Sequence, residues 1–194
     1  MKNSNSMTLA LASLMLTLPS VHANASELDA HEHGSANLDI AIDTSTIEMR
    51  FESPAVNIVG FEYATEDEQQ LLLINKAKSN LSNFDLIYGL VGDVSCQTVK
   101  SSAKWVTEHE AGHDDHDDHE AGHDDHGEVA KAEHAEFIAE YRLECNQLNN
   151  LAAIDVNMFK FFPGIADLDV QVIYSEGQIK QELDVNNTRI KLGN

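Results

Sequence analysis

Between Glu108 and Glu128 the chain carries six histidines, His109, His113, His116, His119, His123 and His126, with ten Asp or Glu and no Lys or Arg. The octet HEAGHDDH occurs twice, at 109–116 and 119–126, bridged by Asp117 and Asp118. An unperturbed imidazole has a pKa of about 6.5, so near neutral pH most of these rings offer a nitrogen lone pair. Imidazole suits zinc, copper and nickel, whereas carboxylates alone suit calcium or magnesium. The mixture points to Zn2+ first, with Ni2+ or Cu2+ as alternatives. Many histidine combinations supply three or four ligands, so several ions should bind and exchange rapidly.

An acidic solubilising linker needs no histidine, which sets the run apart from one. A pH-responsive linker on a structural module is the bland alternative, since the same rings gain charge as pH falls toward about 6. A second cluster lies in "DAHEHGS", where His31 and His33 are two residues apart and point the same way in an extended chain. With Asp29, Glu32 or a histidine of the run they would complete a better-ordered site, the basis of a rival reading as a single-site zinc chaperone. His134 follows the run and is a weaker candidate. No G-x-S-x-G, H-E-x-x-H or G-x-x-x-x-G-K motif occurs, and no acid/base pair stands out. The chain is not expected to be an enzyme.

The run has no apolar group to offset the entropy of folding, and its charges repel, so it is expected to be a disordered insertion at about 108–128. What must position it is a single domain, expected over 26–194. Residues 1–25 read as a cleaved secretory signal peptide: Lys2, an apolar run from Thr8 to Leu18, and Ala23-Asn24-Ala25 as cleavage site. No later stretch is long and apolar enough to insert in a membrane. With 12 Lys+Arg against 33 Asp+Glu the net charge is -21. That disfavours nucleic acid and anionic surfaces and favours cationic partners.

Export allows Cys96 and Cys145 to pair in a disulfide enclosing the whole run, the alternative being two free buried thiols. Period-two alternation over 35–53 reads as a β-hairpin turning at 43–46. Thr65 with Glu68 resembles a capping box, and a helix is expected at about 66–82, with Leu71, Leu72, Ile74, Ala77 and Leu81 on its spacing. Strand-like pieces follow at 86–88, 93–99 and 103–106, then a clean alternation over 137–145. Residues 154–157 read as a strand and "MFKFFPG" as a helical turn; a hairpin turns at Glu176-Gly177 and a last strand spans 189–192. The fold class is α+β, mostly antiparallel strands with one or two helices.

Taken together, "HEHGSANLDIAID", "ESPAVNIVGFEYA", a Cys strand, the His/Asp repeat, "AEFIAEYRLEC" and "FKFFPGIADLDVQVIYSEGQ" resemble the histidine-rich periplasmic zinc-binding proteins of Gram-negative bacteria, the ZrgA family. The resemblance implies a periplasmic protein that captures, buffers or hands over zinc. It further implies metal-binding character at the run and at His31 and His33, with a zinc importer or its solute-binding protein as partner. Tyr63 follows "GFE" where many members carry His. "ESPAVNIVGFEYA" itself reads as a Pro-broken strand and loop whose job is packing.

Overall fold

Alternation of buried and exposed residues along the strands dictates a sheet with one wet face. In the computed structural model, which describes residues 32–107 and 134–192, that sheet has six strands. They are β1 (Ser35–Ile42), β2 (Thr46–Pro54), β4 (Ser95–Thr107), β5 (Ala135–Asn146), β7 (Asp167–Tyr174) and β8 (Gly177–Asp184), in the order β4-β5-β2-β1-β7-β8. A smaller sheet joins β3 (Tyr88–Gly92), β6 (Leu151–Val156) and β9 (Arg189–Lys191) in the order β3-β6-β9. Every strand pair is antiparallel except β1 with β7. The expected signal peptide, His31, the histidine run and its expected disorder lie outside the described residues.

Leu38 and Ile40 of β1, Ile47 and Phe51 of β2, and Phe137, Tyr141 and Leu143 of β5 share the dry face and are almost fully buried. Each such apolar side chain contributes about 1.5–3 kcal/mol relative to exposure. The alternate residues Asp39, Glu48, Arg50 and Arg142 face water. There Lys100 sits 2.8 Å from Glu140 and holds its carboxyl below the usual range, an exposed pairing of small energetic weight. The core is closed by α2 (Glu68–Leu81), the short helix α3 (Phe84–Ile87), the small sheet and the 158–165 segment.

Several local expectations need correction. Among the described residues there are three α-helices rather than one or two, because Ala55–Val59 forms the short helix α1 directly after Pro54. Pro54 ends β2, where its missing N–H costs no ladder bond and its fixed φ suits a helix entry. Helix α2 is capped by Asp67, whose carboxylate accepts the Gln69 and Gln70 amides at 2.9 Å, while Thr65 instead accepts from the Asp67 amide. Leu71 and Leu72 are exposed, and the buried stripe is Ile74, Ala77 and Leu81. Residues 84–87 are a helical turn capped by Asn83, and the strand starts at Tyr88. The two pieces read at 93–99 and 103–106 are one strand, β4, whose alternation slips at a bulge around Val99.

The end of α2 is tied to the sheet through carbonyls its own helix leaves unbonded. The Tyr141 hydroxyl donates to Leu81 O at 2.6 Å, and Ser101 Oγ donates to Ser82 O at 2.6 Å. Tyr88 packs edge-on against Tyr141 with ring centroids 5.3 Å apart, yet among the described residues its own buried hydroxyl finds no hydrogen-bond partner. Burial pushes both phenols above their usual range. In the unfolded chain a tyrosine loses its proton at about pH 10, and there the unfolded state alone binds fewer protons. Stability is therefore whole below about pH 10 and falls as pH rises beyond it. Tyr88→Phe removes the unsatisfied hydroxyl: urea unfolding should show stability equal to the parent or up to about 1 kcal/mol higher at pH 7, with a shallower alkaline fall. A clear loss at pH 7 would mean that the hydroxyl has a partner after all.

Candidate metal centre

The segment Glu32-His33-Gly34-Ser35 closes a turn, Ser35 N donating to Glu32 O at 3.1 Å. Gly34 has φ +96°, which the third position of a type II turn requires and which a side chain would strain. This explains the glycine of "HEHGS" and leaves His33 at the turn's corner. Asn57 of α1 holds the turn: its Oδ1 accepts the Gly34 amide at 2.7 Å, and its Nδ2 donates to Ser35 O at 2.8 Å and Ser53 Oγ at 3.2 Å. Gly164 passes so close beneath that a Cβ there would lie 2.4 Å from Asn57 O. "SPAVN" and "FPGI" thus meet at a single node beside His33.

Gly60, at φ 86°, caps α1 with its N–H on Val56 O at 2.9 Å and turns the chain outward. Phe61 then packs toward Trp105 of β4, centroids 5.9 Å apart, and Trp105 packs on Phe137 of β5. Glu62 is fixed by its own carbonyl, which accepts the Ala135 amide at 2.8 Å. That bond sets the first residue of β5 beside Glu62, and His134 precedes it.

The consequence is a cluster of three chemically active side chains. His134 Nδ1 lies 3.0 Å from Glu62 Oε1, and His33 Nε2 lies 3.4 Å from Oε1 and 3.3 Å from Oε2 of the same carboxylate. The Glu62 side chain is 21% exposed, against 65% for His33 and 43% for His134. Two of the sequence candidates, His33 and His134, are brought together. His31, His109, His113, His116, His119, His123 and His126 lie outside the described residues. Glu62 was missed, since the packing role expected of its segment holds for Phe61 but leaves out the carboxylate.

The cluster lies beside the pair Thr107 and Ala135, which face each other across β4 and β5. Further along the same strands Cys96 and Cys145 are directly opposed and joined by a disulfide, their Cα atoms 4.0 Å apart. Cys145 N donates to Ser45 O on its other side, so the cysteines form a non-hydrogen-bonded pair, the kind in which facing side chains approach most closely. A cleft of about 500 Å³ lies at the far ends of β1 and β7, lined by Ile42, Asp43, Leu148 and Tyr174, and holds no histidine.

The model of a family described as the ZrgA family zinc uptake protein matches residues 30–192, a span that contains every described residue. The chain belongs to the ZrgA family. No curated protein matches it. Membership ties this ZrgA chain to zinc acquisition. The matched span takes in all three cluster residues, the cysteine pair and the run between them. Among the described residues of this ZrgA protein no helix is long and apolar enough to cross a membrane.

Proposed function

We propose that this protein works in the periplasm after removal of residues 1–25, binding several zinc ions reversibly through His109, His113, His116, His119, His123 and His126. Together with His31, His33 and His134, the run would buffer scarce zinc and raise its concentration near an importer or its solute-binding protein. The observation that supports the reading is the pairing of Thr107 with Ala135, which brings the strands flanking the segment with the run to neighbouring positions in a member of a zinc uptake family. A rigid sheet then serves as holder and the run as the capturing element. Imidazole ligands supplied in excess over need favour fast exchange over a single deep site, which suits hand-over.

The test is zinc titration by isothermal calorimetry of the chain from residue 26, compared with the same chain in which all six run histidines are Asn. The parent should take up several ions and the variant should lose most of that capacity. An unchanged stoichiometry would overturn the role of the run.

A further inference from the structure

We infer that His33, Glu62 and His134 form one fixed zinc site, separate from the run, in which Glu62 is the ligand that gathers the other two. The inference rests on the zinc-binding reading of the protein, but its residues and its stoichiometry are its own.

The three residues come from three segments, with 29 and 72 residues separating Glu62 from His33 and from His134. Only the folded chain brings them together. Zinc lies about 2.0–2.1 Å from imidazole nitrogen and about 2.0–2.2 Å from carboxylate oxygen, so two such donors on a tetrahedral ion stand about 3.4 Å apart. The nitrogen to oxygen separations here are 3.0, 3.3 and 3.4 Å. These are hydrogen-bonding distances, which keep both imidazoles within a side-chain rotation of a shared ion.

Among the described residues no group of three His, Cys, Asp or Glu side chains could hold a metal ion as it stands. In this trio the two ring nitrogens face the carboxylate itself, within hydrogen-bonding distance of its oxygens. Loading therefore requires side-chain rotation, with zinc replacing the direct contacts and the ring protons resting on His33 Nδ1 and His134 Nε2. The backbone need not move. Gly34 is pinned by Asn57 at 2.7 Å, and Glu62 O by Ala135 N at 2.8 Å, so all three ligands hang from fixed points while the imidazoles stay partly exposed.

Two imidazoles and a carboxylate leave one of four positions for water or an incoming donor. Such a site holds an ion more tightly than solvated histidines do and still admits a partner's ligand. Glu62 also has a charge reason to be there, because its partners among the described ion pairs are the two imidazoles and no Lys or Arg. A divalent ion would be the neutralising charge at that point of a chain carrying -21 overall.

The experiment uses the full-length chain in which the six run histidines are Asn, titrated with zinc and, for a spectroscopic readout, with cobalt(II). One ion should bind per chain, and adding Glu62→Gln should weaken it by at least the 10- to 100-fold, or about that, seen when even an outer-sphere ligand partner is lost. His33→Asn, at an exposed turn corner, provides a second variant whose folding is not at stake, and it should weaken binding similarly. Nitrogen-resolved NMR of the imidazoles should shift His33 and His134 together on zinc addition. If no ion binds to the run variant, or if neither substitution changes the ion that does, the site is wrong while the run reading is untouched. If the run variant keeps full stoichiometry and Glu62→Gln removes one ion, the run reading fails and the site stands.

Discussion

A chain carrying Cys96→Ser and Cys145→Ser should unfold with about 4 kcal/mol less stability than the oxidised parent. The bridge spans 49 residues and encloses the whole histidine run. Most of its effect acts on the unfolded chain, whose freedom it removes. Urea unfolding of the double variant, the oxidised parent and the parent under reductant checks this. The last two should differ as the first two do. A difference under about 1 kcal/mol would mean that the unfolded state is already held compact in that region.

The second large effect is expected at Asn57, which is 5% exposed and makes three hydrogen bonds. Asn57→Ala removes the side-chain partner of the Gly34 amide and of the Ser35 carbonyl, and leaves the Ser53 hydroxyl only its bond to Pro54 O. Each unsatisfied buried group costs about 1–3 kcal/mol, and since the losses overlap the expected total is about 2–4 kcal/mol. Asn57→Asp is the informative companion: it keeps an acceptor for Gly34 but loses both donated bonds. Because Gly34 is the residue after His33, zinc binding that depends on His33 should weaken in both variants, even where melting shows the domain still folded. Retained affinity for an ion at His33 would mean that the turn is held by Gly34 and its contacts with 166–167 alone. Those contacts are Ala166 N and Asp167 N on Gly34 O, at 2.7 and 3.1 Å.

What could be read beforehand followed the range of the physics involved. The hairpins at 35–53 and 167–184 and the strand at 137–145 were legible because period-two burial is a local property of the chain. The cysteine pair was legible because a chain with two cysteines allows one intramolecular bridge. Glu62 was not, since among 33 acidic residues nothing local distinguishes it. Its significance arises from the bond between Ala135 N and Glu62 O, a contact across 73 positions. His134 was visible as a histidine but not as a neighbour of His33. The bulge at Val99 and the cap at Asp67 were misread for the opposite reason: each breaks or competes with a local pattern that was otherwise sound.

The paired residues Thr107 and Ala135 carry a consequence for how such a protein can change over generations. Whatever is inserted between them starts and finishes at neighbouring positions on a rigid ladder, so the domain is indifferent to the insert's length. Doubling a flexible connection adds only about 0.6 kcal/mol to its closure. Duplication of an octet such as HEAGHDDH is thus nearly neutral for folding while it multiplies ligands. Metal capacity in this architecture is adjustable by tandem copying, independently of the scaffold that carries it.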